Sequence, residues 1–195
     1  LGADCASIIC PYFAESSQSA LIEHYSTVAA AVDIPILIYN IPARTGMNID
    51  HATVAKLSSV PNIVGIKDSS GNFDSMLCYI KETGDDFAVL SGNDSLILWN
   101  LVAGGRGGIS GIANIIPEIM ESIYNYWKVG DLKNARRIQD SIRPIRDCLK
   151  LGNPNSIVKR AAHFAGQELG PARAPFNIRD DKIDEILKKT VEMYK

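Results

Sequence analysis

Two residues of this chain combine a reactive side chain with a position that could use it: Lys67 and Tyr39. Lys67 closes the run Ile63-Val64-Gly65-Ile66, whose β-branched residues signal a strand. Alternation along a strand puts Lys67 on the face of Ile63 and Gly65. If that face is poorly hydrated, the charged ammonium is disfavoured, its pKa falls, and the free amine can attack a carbonyl carbon. The small Gly65 beneath it would leave room for a substrate. The competing reading is a lysine at a strand exit that lays its stem on apolar surface and sends its head to water. Tyr39 closes Ile36-Leu37-Ile38 in the same way on the preceding strand. A phenol beside a carbinolamine can move protons between substrate oxygen, nitrogen and carbon. Taken alone, Tyr39 also reads as a core aromatic with a satisfied hydroxyl. Both residues end strands and so face the same rim, which favours the chemical reading of the pair.

Arg44 follows five residues after Tyr39, in the loop Ile41-Pro42-Ala43-Arg44-Thr45-Gly46. A guanidinium on a rim loop suits a carboxylate held bidentately, or is simply solvated. Ser91-Gly92-Asn93 and Gly107-Gly108-Ile109-Ser110-Gly111 close the next two strands. Their glycines let the backbone approach a ligand closely, and equally permit tight turns.

The elements that position these residues alternate. Strands are expected over 6–10, 34–40, 63–68, 87–92 and 107–112, with helices over 17–32, 50–58, 73–83 and 95–104 between them. Leu21, Tyr25, Val28 and Val32 mark one face of the first helix, and Asp50 is placed to cap the second. From Pro117 the character is purely helical: 117–128, 131–150 with a kink at Pro144, about 155–166, and 180–194. Strands alternating with helices imply parallel strands joined by right-handed crossovers. The fold class is α/β, either a doubly wound sheet or part of a (β/α)8 barrel. No G-x-G-x-x-G or P-loop motif follows any strand, and the candidate residues sit at strand C-terminal ends, where barrel enzymes place their chemistry. The chain is read as two regions, 1–115 and 116–195.

With 46% apolar and 22% charged residues, the 195-residue chain has globular composition, which excludes disordered and fibrous classes. Its 20 basic and 22 acidic residues form no long single-sign run, so neither nucleic acid nor an anionic membrane is expected as partner. Cys5, Cys10, Cys78 and Cys148 form no C-x-x-C pair and read as free thiols in a reducing compartment. His24, His51 and His163 lack H-x-x-x-H spacing, so no metal site is expected. The start LGADCASIIC lacks the basic opening of a signal peptide, and a cytoplasmic location is expected.

The blocks IPILIYNIPARTG, NIVGIKDSSGN, FAVLSGND and GGISGIAN, in this order and with 28 residues from Tyr39 to Lys67, resemble the dihydrodipicolinate synthase and N-acetylneuraminate lyase family of Schiff-base aldolases. GDLKNARRIQD, GNPNSIVK and GPARAPF extend the likeness through the rest of the chain. The resemblance implies a (β/α)8 TIM barrel with a C-terminal helical extension, here strands 4–8 only, and a homo-oligomer built as a dimer of dimers. It implies that Lys67 forms a Schiff base with the keto group of pyruvate and that Tyr39 transfers protons. Arg44 would bind the carboxylate of the second substrate, an aldehyde. Gly92 and Ile109 would supply main-chain contacts near pyruvate, and Tyr12 would lie at a subunit interface. No cofactor is implied, because the imine itself is the electron sink.

Two departures follow from the same resemblance. The Gly-Thr-Thr-Gly-Glu loop that holds the pyruvate carboxylate is absent. The chain begins at Leu1 where the fourth strand is expected, so three βα units of roughly 30 residues each are expected to be missing. Phe13 stands where many synthases carry a second tyrosine, so the proton relay lacks a hydroxyl there. Arg44 in Pro-Ala-Arg-Thr-Gly favours the synthase that condenses pyruvate with aspartate semialdehyde in lysine biosynthesis. Phe13 and Gly-Pro-Ala-Arg-Ala-Pro-Phe favour an N-acetylneuraminate lyase or a 2-keto-3-deoxy sugar acid aldolase. The missing carboxylate loop favours a third reading, a non-catalytic half-barrel fragment.

Overall fold

The computed structural model of the chain describes residues 2–177 and 179–195. Leu1, the expected start of the first region, lies outside them. The chain folds as two compact units that divide between Ile109 and Ser110.

The first unit alternates strands and helices: β1 (Ala6–Ile9), α1 (Gln18–Ala30), β2 (Ile36–Asn40), α2 (Pro42–Thr45), α3 (His51–Leu57), β3 (Ile63–Asp68), α4 (Phe73–Glu82), β4 (Ala88–Ser91), α5 (Ile97–Val102) and β5 (Gly107–Gly108). The five strands form one parallel sheet in the order β1-β2-β3-β4-β5. Sequence neighbours are therefore spatial neighbours, as expected of repeated βα units. The helices bury one face of this sheet. Leu21 and Tyr25 of α1, Val54 and Leu57 of α3, and Met76 and Tyr79 of α4 pack on Ile36, Ile38, Ile66 and Val89. The other face carries Leu37, Tyr39, Lys67, Ala88 and Leu90, all half-buried. The Tyr25 hydroxyl donates to the carbonyl of Ile8 at 3.0 Å and ties α1 to β1.

Sheet parity departs from simple alternation at one point. Ile36 pairs with Ile63, but Leu37 pairs with Gly65, which leaves Val64 as an extra residue in β3. The bulge reverses parity, so Ile63 joins the helix-side core while Gly65 and Lys67 share the opposite face with Leu37 and Tyr39. Ile63 and Lys67 thus lie on different faces, contrary to the alternation reading.

Nor does Gly65 leave a gap beneath Lys67. A β-carbon there would lie 2.3 Å from the Ala88 carbonyl oxygen and 2.8 Å from Leu37 Cδ2. The glycine is required because β3 and β4 approach too closely for any side chain. Gly65→Ala is expected to destabilise the fold by about 1–3 kcal/mol through overpacking, read as a lower urea midpoint. An unchanged midpoint would contradict this account of the contact.

Several local expectations shift. The segment after β2 is one helical turn rather than a loop, because Pro42 at its start has φ pre-set and Gly46 ends it at φ 77. Val32 lies beyond α1 and is exposed, so the α1 core face is Leu21, Tyr25 and Ala29. Asp50 occupies the cap position of α3 without a side-chain cap bond. The last strand is two residues instead of six, since its glycines offer no side chains to pack. Buried Asn100 holds it, donating to the carbonyls of Val89 and Gly107 at 2.9 and 2.8 Å.

The second unit is helical: α6 (Pro117–Lys128), α7 (Leu132–Ser141), α8 (Arg143–Cys148), α9 (Pro154–Phe164) and α10 (Asp181–Glu192). The helix expected over 131–150 is broken, not kinked, between α7 and α8. Pro144 has no N–H to donate and its ring crowds the carbonyl four residues back, so the chain restarts at Arg143. Asn153 caps α9, accepting from the N–H groups of Asn155 and Ser156.

Arg160 of α9 donates from Nε to Asp184 Oδ1 of α10 at 3.0 Å and from Nη2 to Oδ2. This guanidinium holds the Asp184 carboxyl below the usual carboxylate range. A depressed folded-state pKa stabilises above the unfolded value of about 3.9 and loses that contribution as pH falls through the folded value. Asp184→Asn is expected to cost about 1.5–3 kcal/mol near neutrality and to flatten stability against pH below ~4, followed by urea unfolding. No helix among the described residues is long and apolar enough to cross a membrane.

Candidate active site

Parallel pairing of β2 and β3 sets Tyr39 opposite Lys67 and Asn40 opposite Asp68. The first pair lies on the face left open by the helices, the second on the helix side. Lys67 Nζ sits over the Tyr39 ring, 3.9 Å from its centroid. This is close cation–π contact, and both residues are half-buried. An amine held against a phenol at a strand end can condense with a carbonyl and exchange protons with the neighbouring hydroxyl.

The strand ends form a ladder that continues past the sheet. Ser69 N–H donates to the Asn40 carbonyl at 2.8 Å, Gly92 N–H to the Asp68 carbonyl at 2.7 Å, and Ile109 N–H to the Ser91 carbonyl at 2.8 Å. Gly92 permits this approach, since a β-carbon there would lie 1.9 Å from Ser69 Oγ. Gly92 and Ile109 therefore sit by backbone geometry at the exits of β4 and β5.

The other sequence-derived candidates stand apart from this pair. The Arg44 side chain is exposed on α2 and makes no hydrogen bond or ion pair among the described residues. Tyr12 and Phe13 are exposed after β1, without a hydrogen bond or ring contact among the described residues. Phe13 holds φ 81, a conformation non-glycine residues rarely adopt and that surroundings must impose.

The sequence reading missed a polar cluster behind the pair. Asn40 and Asp68 are both 0% exposed. Asn40 Nδ2 donates to Asp68 Oδ1 and Asn48 Oδ1, each at 2.8 Å, with the Tyr79 hydroxyl at 3.3 Å. Asn40 Oδ1 accepts from Ile49 N–H at 3.2 Å, and the Tyr79 hydroxyl donates to the Ile49 carbonyl at 2.6 Å. Ser70 Oγ donates to Asp68 Oδ2 at 2.7 Å. Burial pushes the Asp68 carboxyl up, opposed by the hydrogen bonds from Ser70 and Asn40. Burial likewise raises the Tyr79 phenol, helped by the charges of Asp68 and Asp50. A signal existed: Asn40 continues the buried positions Ile36 and Ile38, and Asp68 continues Ile66, so period-2 reading sends two polar groups into the core.

These features define a class: a parallel β/α chain presenting an amine and a phenol together at the C-terminal ends of adjacent strands. The chain belongs to the dihydrodipicolinate synthetase family, whose model matches residues 1–194. It is similar to a 4-hydroxy-tetrahydrodipicolinate synthase of Methanopyrus kandleri, 37% identical over 98% of this chain and 64% of that protein. Among solved structures, dihydrodipicolinate synthase from Aquifex aeolicus matches with a TM-score of 0.93 at 35% identity, covering 99% of this chain and 66% of that one. YagE of E. coli K12, a prophage protein of the same family in complex with pyruvate, matches with a TM-score of 0.90 at 29% identity, covering 99% of this chain and 67% of that one. The chain thus spans about two-thirds of the length of the relatives it matches, 64% for the Methanopyrus kandleri protein.

Proposed function

We propose that this chain carries the reactive part of a pyruvate-dependent Schiff-base lyase, a 4-hydroxy-tetrahydrodipicolinate synthase that condenses pyruvate with aspartate semialdehyde in lysine biosynthesis. The observation that carries the reading is Lys67 Nζ lying 3.9 Å over the Tyr39 ring at the paired ends of β2 and β3. In this reading the Lys67 amine adds to the keto carbon of pyruvate. The carbinolamine loses water to a protonated imine, and loss of a methyl proton gives an enamine that attacks the aldehyde carbon. Tyr39 carries the protons that enter and leave. Arg44, exposed on the turn after β2, offers a fork for the carboxylate of the aldehyde substrate. The backbones of Gly92 and Ile109 border the pyruvate.

The parallel sheet is proposed to be part of a closed (β/α)8 barrel, with the region from residue 116 as last barrel helix and helical extension. The partners proposed are pyruvate, an aldehyde and further copies of this chain in a dimer of dimers, and the proposed location is the cytoplasm. Tyr12 is assigned to a subunit contact. Exposed Leu77 on α4 and Trp99 and Val102 on α5 supply apolar surface of the kind that subunit contacts cover.

Phe13 favours a second reading, because its exposed ring has no hydroxyl to pass a proton: a lyase or aldolase acting on N-acetylneuraminate or a 2-keto-3-deoxy sugar acid. Borohydride reduction of the full-length protein with pyruvate, read by mass spectrometry, tests the shared chemistry. The expected result is a stable adduct on Lys67; a folded protein without one is inert in this sense. Turnover of aspartate semialdehyde is then expected, and turnover of the sugar acids alone would replace the first reading by the second.

A further inference from the structure

The buried cluster behind the sheet touches the three backbone segments that carry Tyr39, Lys67 and Arg44. Asn40 directly follows Tyr39, and Asp68 directly follows Lys67. Asn40 binds Asp68 across the two strands, and it binds Asn48 and the Ile49 N–H at the end of the segment that begins with α2 and Arg44. Tyr79 reaches the same segment from α4 through the Ile49 carbonyl. One carboxamide therefore joins the Tyr39 strand, the Lys67 strand and the Arg44 segment. The interior of a β-sheet side offers cheaper ways to fill this volume. An apolar pair would avoid burying a carboxyl and an amide, whose satisfaction demands fixed geometry. What the polar pair adds is direction. Asn40 donates with Nδ2 and accepts with Oδ1, so only one register and one loop position satisfy it.

We propose that Asn40 and Asp68 are positioning residues: their hydrogen bond locks the ends of β2 and β3 so that Lys67 stays over Tyr39, and Asn40 anchors the Arg44 segment to the same point. The inference rests on Lys67 being the imine-forming amine. Neither residue touches the open face, since both are fully buried on the helix side. Their effect on chemistry is transmitted through the backbone of the adjacent residue. A displacement of about 1 Å at a reacting group costs roughly 10²-fold in rate.

The test uses the full-length protein with pyruvate and aspartate semialdehyde, at a temperature where far-UV circular dichroism shows each variant folded. Asn40→Ala and Asp68→Ala each remove one partner of the contact and are expected to lower kcat by about 10²-fold, with a smaller change in the KM for pyruvate. The exchanged pair, Asn40→Asp with Asp68→Asn, reverses donor and acceptor across the same 2.8 Å contact. It is expected to recover at least about tenfold of the lost kcat. Asn48 is exposed, so Asn48→Ala folds even where the core variants do not. It cuts one of the two ties from Asn40 to the Arg44 segment, leaving the bond from the Ile49 N–H, and is expected to raise the KM for the aldehyde more than that for pyruvate.

If the unsubstituted protein gives no borohydride-trapped adduct on Lys67, the Schiff-base reading fails and this inference with it. If it traps pyruvate and the folded variants keep kcat and KM within about threefold, the positioning role alone is overturned. Loss without recovery in the exchanged pair also overturns it, as does Asn48→Ala with unaltered constants in the case where the core variants fail to fold.

Discussion

Lys67→Ala is expected to remove borohydride trapping of pyruvate completely and to lower turnover by at least ~10³-fold, because it deletes the amine proposed to form the imine. The structure supplies a sharper companion variant. Lys67 Nζ lies 3.9 Å from the centroid of the Tyr39 ring, a cation–π contact that also stabilises the sheet end. Lys67→Arg keeps a cation over that ring but replaces the nucleophile by a guanidinium that stays protonated. It is therefore expected to remain folded and to be as inactive as the alanine variant. Turnover by Lys67→Arg within about tenfold of the unsubstituted protein would mean that the charge, not the lone pair, does the chemistry.

Tyr39→Phe is expected to lower kcat by about 10²–10⁴-fold while leaving pyruvate trapping at Lys67 detectable. The phenylalanine ring keeps the packing under the ammonium and lacks the hydroxyl proposed to move the proton. The two contributions of Tyr39 thus separate in one variant. Stopped-flow trapping reports imine formation, and steady-state kcat reports the proton transfers that follow. Full kcat in Tyr39→Phe would reduce Tyr39 to a packing surface for Lys67 and send the proton through another group. The sheet makes this test clean, because Tyr39 and Lys67 are partners in register and the substitution alters no backbone hydrogen bond.

The pairing of Lys67 with Tyr39 was legible because each ends a run whose period is local. Ile36-Leu37-Ile38-Tyr39 and Ile66-Lys67 announce strand exits, and parallel βα units bring exits to one side. The cluster of Asn40 and Asp68 was not read. Each looked like the last letter of a strand, and only their meeting across 28 residues of chain made them a unit. The bulge at Val64 was hidden for a similar reason. An extra residue in a strand has no local signature unless the partner strand is known. Arg44 shows the converse case. The residue type was legible, but a proline at the first turn and Gly46 at its end made its segment helical and left the side chain on the outside.

By itself the amino-acid order determined the alternation of strands and helices, the helical second half, and the chemical types waiting at the strand ends. These are properties of neighbours a few residues apart, where backbone sterics and side-chain periodicity act. Only the tertiary structure decided that Ile63 faces away from Lys67, that Gly65 is filled rather than open, and that a buried amide ties three segments together. Those outcomes depend on register, on close approach of strands, and on the need to satisfy polar groups shut away from water. All three are set by residues distant in the chain.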